Sequence, residues 1–436
     1  MLPRFEIVHR TRPVDLVRPG SDLAHPVAPY VAVTADLVGP GPASLALGSG
    51  DDELAVLLDD QGLALRVTTG ATTTSHRSRR FGRPEAEVEG VALSLTATHV
   101  VGYTREGGRW RVRARFDLHE RLDPHDEAWV HGLAASSDGP LTEVRAGSFG
   151  QLGLRDLRVV THADGTPYRD GSGYLLSATS AGPGAFATGH ASVWAFDPDA
   201  LDLEHRADLF FRRPHSPGVY GDHACHVVRD DDRWLVATST WGDFDKARDH
   251  HEVVTTLAET TEDVTRGNHV LDTRRLALPT EGMTSVGVWD PHLVRTDEGW
   301  LVGYVSARKY FRFHPALAEG PDLDSLRLRA AATGRRATEG ATLAHLDGRW
   351  RLLASDGRDG RRGQNARFPI FDLDLREVGT LDAPYPSNIP WPTLLEHDGR
   401  WMLICFDGVR YGGRLVGYGS HGDVVIARAD RDRCGR

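Results

Sequence analysis

A short pattern recurs five times in the last two-thirds of the sequence. Each copy has a polar turn, an aromatic residue and a run of β-forming residues that ends in small polar residues, as in Asp-Glu-Gly-Trp300-Leu-Val-Gly-Tyr-Val-Ser. Consecutive aromatic residues are 60, 66, 50 and 51 positions apart. A repeat of about 50 residues with strand chemistry predicts a five-bladed β-propeller. The five aromatic residues are Tyr174, Trp234, Trp300, Trp350 and Trp401.

Residues 1–140 do not carry the repeat, and their short segments alternate polar and apolar residues. Arg111 to Leu118, for example, switches between charged and apolar residues at nearly every position. Such alternation is typical of a half-buried antiparallel sheet, so we predict a jelly-roll-like β-sandwich here. A chain of 436 residues exceeds what one core usually supports. We therefore expect an all-β protein with a sandwich accessory domain at 1–140 and a five-bladed propeller catalytic domain at 141–436.

Composition narrows the partners. The formal net charge of -10 argues against nucleic acid or an anionic membrane surface as the main partner. The three cysteines are too few and too widely spaced for a disulfide framework, and we find neither a signal-peptide pattern nor an apolar run of transmembrane length. These features predict a cytoplasmic protein with a small-molecule partner, and they leave the oligomeric state open.

Three repeats carry a carboxylate before the aromatic residue. Counting back 10 to 12 residues from each marker, to the start of the preceding strand, gives Asp222, Asp290, Glu339 and, in the last repeat, Pro390. The innermost strands of a propeller surround one channel, so these side chains are expected to converge. Glycoside hydrolysis requires two carboxyl groups on either side of the scissile bond. The pattern therefore favours a carbohydrate substrate.

Two segments point to a known family. Val288-Trp-Asp290-Pro-His and Thr338-Glu339-Gly-Ala-Thr each precede a strand, a polar turn and a marker tryptophan. With these segments in order, residues 145–436 resemble the five-bladed propeller hydrolases of glycoside hydrolase family 43, which include arabinanase, xylosidase and fructosidase-like enzymes. The N-terminal part is similar to the concanavalin-like sandwiches that often accompany such propellers.

The resemblance implies a role for each carboxylate. Glu339 would be the general acid, and Asp290 would orient it and raise its pKa through like charge. Asp222 is favoured as the base that activates water, and Asp156, at the start of a strand in the first repeat, is the alternative. The expected activity is inverting hydrolysis of a furanoside or pentopyranoside, such as an arabinofuranoside or a xyloside.

Residues at the expected rim of the channel are candidates for substrate binding. Sugars present flat apolar faces and many hydroxyl groups, which suit aromatic rings and planar donors. Candidates at strand starts or directly after the β-runs are Asp156, His223, Trp241, Arg308, Tyr310, Arg358 and Trp391.

A metal site is not predicted from the histidines. In Asp222-His223-Ala-Cys225-His226 the potential ligands alternate between the two faces of a strand, so they do not converge on a transition metal. We expect no required cofactor, while a structural Ca²⁺ in the channel, which some related propellers hold, stays open. Two alternatives to hydrolysis also stay open: an enzyme of specialised metabolism that uses the pocket for cyclisation, isomerisation or elimination, and a propeller that binds a glycan or small molecule without catalysis.

Overall fold

The structure is a computed structural model that describes residues 2–184, 186–245, 252–414 and 422–429. Nearly all regular structure in these ranges is β-strand, and no helix in them is long and apolar enough to cross a membrane. The N-terminal part contains β1 (Phe5–Thr11), β2 (Asp15–Val17), β3 (Tyr30–Leu37), β4 (Ala43–Ser49), β5 (Asp52–Asp59), β6 (Gly62–Thr69), β7 (Thr72–His76), β8 (Gly90–Thr96), β9 (His99–Glu106), β10 (Arg109–Asp117), helix α1 (Glu127–His131), β11 (Ala134–Asp138) and β12 (Leu141–Gln151).

The rest of the described chain consists of strands and one 3-10 turn, Phe186–Thr188. The strands are β13 (Leu154–Val159), β14 (Thr161–His162), β15 (Arg169–Asp170), β16 (Gly173–Ser180), β17 (His190–Asp197), β18 (Asp202–Arg213), β19 (Ser216–Tyr220), β20 (His223–Asp230), β21 (Arg233–Ser239), β22 (Thr255–Thr260), β23 (Gly267–Arg275), β24 (Val288–Thr296), β25 (Gly299–Lys309), β26 (Arg312–Gly320), β27 (Arg327–Ala331), β28 (Thr338–Leu346), β29 (Arg349–Asp356), β30 (Pro369–Phe371), β31 (Glu377–Thr380), β32 (Thr393–His397), β33 (Arg400–Asp407) and β34 (Asp423–Ala429).

The described strands of this part form five four-stranded antiparallel blades. The first four are β13-β16-β17-β18, β20-β21-β22-β23, β24-β25-β26-β27 and β28-β29-β30-β31, and the fifth is β32-β33-β34-β1. The first two blades also join edge to edge, because β18 pairs with β23 in parallel. The innermost strands β13, β20, β24 and β28 contact one another in succession, and β13 also contacts β32. The predicted all-β fold, a propeller preceded by a sandwich, is confirmed.

The first strand corrects the predicted domain limits. β1 pairs along its length with β34 and completes the fifth blade, so Phe5–Thr11 belongs to the propeller and not to a sandwich at 1–140. At the other limit, β12 pairs with β3 and β2 as far as Gln151, so the sandwich continues past residue 140. A strand from one end of the chain thus closes the ring against a strand from the other end.

The remaining N-terminal strands form two facing antiparallel sheets, β10-β9-β8-β3-β12-β2 and β11-β4-β5-β6-β7. Their inner faces share one apolar core. The outer face of the six-stranded sheet packs on the first blade, where Tyr30 and Phe149 contact Phe210 and Val219 in a second core. The sandwich is therefore fixed to the propeller by a buried apolar interface.

A β-bulge recurs in the innermost strands of four blades. The register shifts after Arg155 in β13, after His223 in β20, after Trp289 in β24 and after Glu339 in β28. The residue that follows has a positive φ in each blade, and two of these residues are aspartates, a type that tolerates this region better than most. Bulges re-aim side chains beside active sites. The four residues are Asp156 (φ 51), Ala224 (φ 59), Asp290 (φ 58) and Gly340 (φ 72).

The closing strand provides a stability test. Phe5 is 1% exposed, whereas Ile7 in the same strand is 43% exposed. We expect Phe5→Leu to lower the free energy of unfolding by about 1 kcal/mol, because it removes buried aromatic contacts. Ile7→Ala, the matched control, should change it by less than about 0.5 kcal/mol. Urea unfolding measures both, and equal effects would contradict the assignment of β1 to the packed blade.

Candidate active site

An enclosed cavity lies at one end of the propeller channel, and all five blades contribute to it. Its volume is about 130 Å³. Carboxylates form its polar side, and aromatic rings form most of the remaining wall. The lining residues are Arg155, Asp156, Phe186, His223, Ala224, Trp241, Trp289, Asp290, Tyr310, Phe311, Phe313, Ala337, Glu339, Asp359, Asn388, Ile389 and Trp391.

Three carboxyl groups from three blades meet in this cavity. Asp156 and Asp290 occupy the same bulge position in blades one and three, and Glu339 immediately precedes that position in blade four. Asp156 and Asp290 are 4% and 2% exposed, whereas Glu339 is more accessible. Asp156 Oδ2 accepts a hydrogen bond of 2.8 Å from Thr179, and Asp290 Oδ2 accepts one of 3.3 Å from the amide of Gly340.

The crowding of these carboxyl groups favours their protonated forms. Burial, together with the charge of Asp156, raises the pKa of Glu339 to about 7. Burial and the charges of Glu339 and Asp156 raise the pKa of Asp290 well above its ordinary value. A carboxylic acid with a pKa near neutrality can donate a proton and recover it within one catalytic cycle.

A layer of buried side chains lies beneath the carboxylates. Arg158 extends from β13 across the channel and donates hydrogen bonds to Ala341 O (2.9 Å), Thr342 Oγ1 (2.9 Å) and Asp290 O (3.2 Å). Its guanidinium also lies 4.5 Å from the ring centroid of Trp391. Burial lowers the pKa of Arg158 to about 10, so the group stays positive at neutral pH and faces the acidic cluster as a fixed counter-charge.

Two histidines complete this layer. His226 and His292 occupy the register position of Arg158 in their blades, and their rings stack with centroids 3.9 Å apart. Burial lowers both pKa values well below the ordinary range, so both rings are neutral. His226 Nδ1 accepts a hydrogen bond from the Leu293 amide, and His292 Nδ1 accepts one from Leu343. The layer joins neighbouring blades and forms a floor under the cavity.

The chain shares its fold with solved glycoside hydrolases. An inulosucrase from Halalkalicoccus jeotgali bound to kestose superposes with a TM-score of 0.49 at 14% identity, over 64% of this chain and 85% of that one. A GH43_1 enzyme from Xanthomonas citri complexed with xylose gives 0.45 at 12% identity, over 65% and 89%. RS223-Beta-xylosidase gives 0.42 at 12% identity, over 65% and 94%. No protein-family profile and no curated protein matches the sequence.

Asp222 does not lie where a catalytic base is needed, which corrects the preference for it. Its side chain is fully buried and accepts two hydrogen bonds from the guanidinium of Arg213, at 2.9 and 2.5 Å, and one from the amide of Gly242. It precedes the bulge of β20 by two residues and is not among the cavity residues. The bulge position itself holds Ala224. Asp222 therefore neutralises Arg213, and Asp156 brings the third carboxylate into the cavity.

The other predicted binding residues divide into two groups. His223, Trp241, Tyr310 and Trp391 line the cavity. Burial lowers the pKa of His223 to about 4, and its Nδ1 donates to Gly221 O, so its neutral ring can hydrogen-bond a substrate hydroxyl. Two arginines, predicted at the rim, do not line the cavity: Arg308 donates to Thr333 O, and the Arg358 amide donates to Asn388 at an exposed turn.

Sequence reasoning missed several aromatic wall residues. Phe186 stacks on Trp241 with ring centroids 4.9 Å apart, and Trp241 contacts Trp289 edge to face at 5.2 Å. Trp289 precedes Asp290 and therefore occupies the register position that Glu339 occupies in the next blade, so the bulge register would have identified it. Phe186 lies in the 3-10 turn between β16 and β17, and no repeat position marks it.

The residues here do not fit a metal ion. The layer below the carboxylates presents a guanidinium and two imidazoles that already accept backbone hydrogen bonds, whereas Ca²⁺ requires six to eight oxygen ligands. Within the described ranges, no three His, Cys, Asp or Glu side chains form a group that could hold a metal. The predicted partners His250 and His251 lie outside the described residues. We therefore derive no step through a metal.

Proposed function

We propose that this protein is a glycosidase that hydrolyses the bond to one small terminal sugar, such as a furanoside or a pentopyranoside, with inversion. The observation that carries the proposal is the meeting of Asp156, Asp290 and Glu339 in one enclosed cavity, where the pKa of Glu339 is raised to about 7. Ligand sites commonly have volumes of about 300–1,000 Å³, so a cavity of about 130 Å³ suits a single sugar ring.

Each carboxyl group has a separate role in this proposal. Glu339, the most accessible of the three, donates its proton to the glycosidic oxygen as the bond from that oxygen to the anomeric carbon breaks. Asp156 takes a proton from the water that attacks the anomeric carbon from the opposite face. Asp290 carries a negative charge or a shared proton beside Glu339, which keeps Glu339 protonated. The proton on Asp156 then returns to Glu339 through solvent, and both groups are restored.

The surrounding residues support the binding of a sugar. Trp241, Trp289 and Trp391 present flat apolar surfaces to the cavity, and such surfaces pack against the C–H faces of sugar rings. The neutral ring of His223 and the amide of Asn388 can pair with ring hydroxyls. Arg158, held beneath the site, stabilises the negative charge that Asp156 carries before it accepts the proton.

A second function is favoured by the same aromatic wall. Aromatic faces stabilise cations, and an acid of raised pKa can protonate an alkene or a leaving oxygen. The site therefore also suits acid-catalysed cyclisation or elimination of an apolar substrate. A propeller that only binds a glycan would have no need for the raised pKa of Glu339, so we rank that alternative third.

The test is hydrolysis of a panel of aryl pentofuranosides and pentopyranosides. We expect release of the aryl alcohol, and proton NMR should show the opposite anomer as the first product. Glu339→Gln should lower kcat/KM by at least about 100-fold for phenyl glycosides, because their leaving group needs the proton. Retention of configuration would refute the assigned roles. An intact panel, with folded protein, would refute aryl pentosidase activity and favour the cyclase.

A further inference from the structure

A second cavity, of about 490 Å³, lies between the sandwich and the propeller. The sandwich side is formed by the ends of β9 and β10 and the loop that leads to α1, which contribute His99, Asp117, His119, Asp123 and His125. The propeller side is formed by the loop after β21, the end of β19 and the 3-10 turn. We call this cavity the interdomain groove.

The interdomain groove adjoins the candidate active site. Phe186 and Phe311 line both cavities, and their ring centroids are 6.2 Å apart. Phe311 is 47% exposed and has φ 66, a conformation that is a genuine outlier for a bulky residue. Strained residues of this kind cluster at ligand sites. Two aromatic rings therefore form the wall through which one cavity leads to the other.

The sandwich holds one of these rings in place. Tyr30, on β3, is buried and donates a hydrogen bond of 2.7 Å to Ala187 O in the turn that carries Phe186. A Cβ added to Gly221 would lie 2.2 Å from Tyr30 Oη, so the two domains approach as closely as glycine allows. The position of Phe186 thus depends on the sandwich.

One side chain in the groove lacks a partner that a ligand could supply. The His125 side chain is 6% exposed, stacks on Tyr220 at 4.5 Å and donates from Nδ1 to Asp123 at 2.9 Å. Its Nε2 is buried and has no hydrogen-bond partner among the described residues. Since Nδ1 carries the proton, Nε2 is an acceptor, and a small shift of the ring would let it accept from a hydroxyl group.

The charge of the groove restricts what it can hold. Its described lining contains four aspartates and three histidines and no lysine or arginine. Carboxylates and neutral imidazoles accept hydrogen bonds from hydroxyl groups, whereas a phosphate or a uronic acid would be repelled. The lining therefore suits a neutral, hydroxyl-rich unit.

We infer that the interdomain groove binds the leaving group of the substrate, a neutral second sugar or polyol, so that the sandwich domain forms part of the substrate site. This inference rests on the proposed glycosidase function. The glycosyl unit occupies the aromatic cavity, the glycosidic oxygen lies at the wall formed by Phe186 and Phe311, and the departing unit is held by the sandwich residues.

The test compares two substrates that differ only in the leaving group: a glycosyl fluoride, whose fluoride does not fill the groove, and a disaccharide with the same glycosyl unit. The double variant His119→Ala/Asp123→Ala removes two exposed groove side chains. We expect kcat/KM for the disaccharide to fall at least about tenfold, mainly through KM, because hydrogen bonds to the leaving group are lost. Hydrolysis of the fluoride should not change.

The matched control is His131→Ala/Asp138→Ala, which alters exposed residues of the sandwich outside the groove. It should leave both substrates unaffected. Equal losses on disaccharide and fluoride in the groove variant, or no loss on either, would overturn the inference while the glycosidase function stands. If the wild type hydrolyses neither substrate, tryptophan fluorescence titration with the disaccharide decides: failure to bind, or equal affinity in the groove variant, also overturns it.

Discussion

Replacement of Asp156 by asparagine is expected to lower kcat/KM by about 10²–10⁴-fold, the range for loss of a general base, while the protein stays folded. The side chain lines the cavity with Asp290 and Glu339, and asparagine preserves its size and its acceptor for Thr179. The loss should appear in kcat, because the water must still be deprotonated after the substrate binds.

Asp222→Asn, the matched variant, should have the opposite effect. Asp222 is fully buried against Arg213, and removal of one partner of a buried ion pair destabilises a protein by about 3–5 kcal/mol. Arg213 keeps its contact with Asp243 at 2.8 Å, so we expect a loss near the lower end. Urea unfolding and kcat/KM per folded molecule separate the two effects. A 100-fold catalytic loss in Asp222→Asn at wild-type stability, with Asp156→Asn active, would restore Asp222 as the base.

The choice between these two aspartates shows what the repeat could and could not predict. The marker aromatic residues gave the fold and the correct blades for Asp290 and Glu339. The bulge position lies 10 residues before the tryptophan in blades two, three and four, at Ala224, Asp290 and Gly340. Asp222 is 12 residues before its tryptophan, and this difference of two residues moves it out of the cavity. A bulge leaves no spacing signal in one sequence, so register was the weakest inference.

The first blade hid its aspartate for a different reason. Asp156 is 18 residues before Tyr174, because the short strands β14 and β15 and their turns are inserted between β13 and β16. β14 leaves the blade and pairs in parallel with β20 of the next one. A fixed interval therefore cannot find the equivalent position, although the pairing of β13 with β16 does.

Contacts between distant parts of the chain were also beyond the sequence pattern. β1 joins the fifth blade by pairing with β34, and its sequence reads as any edge strand. Phe186 and Phe311 lie on connections between strands, where apolar residues have no periodicity to mark their face. Arg308 was expected at the rim because it follows a β-run, but its side chain binds Thr333 O instead. Long flexible side chains are placed by tertiary contacts that strand alternation does not specify.

The raised pKa of Glu339 predicts an unusual pH dependence of stability. Its pKa is about 7 in the folded protein, against 4.5 for an ordinary glutamate, so the folded state binds the proton more tightly than the unfolded state. The resulting stabilisation is fully present below about pH 4.5 and is lost as pH rises through 7. Glu339→Gln cannot ionise, so we expect its free energy of unfolding to exceed that of the wild type at pH 8 by an amount on the order of 2–3 kcal/mol.

Urea unfolding at pH 4.5, 6, 7 and 8 measures this difference without any substrate. Glu396→Gln alters an exposed glutamate and should follow the wild type at every pH. The same ionisation sets the rate, because Glu339 must be protonated to act as the acid, so kcat/KM of the wild type should decline above about pH 7. If the wild type and Glu339→Gln lose stability in parallel between pH 4.5 and 8, Glu339 is ionised in the neutral range with an ordinary pKa. It would then be unsuited to donate the proton, whatever the pocket binds.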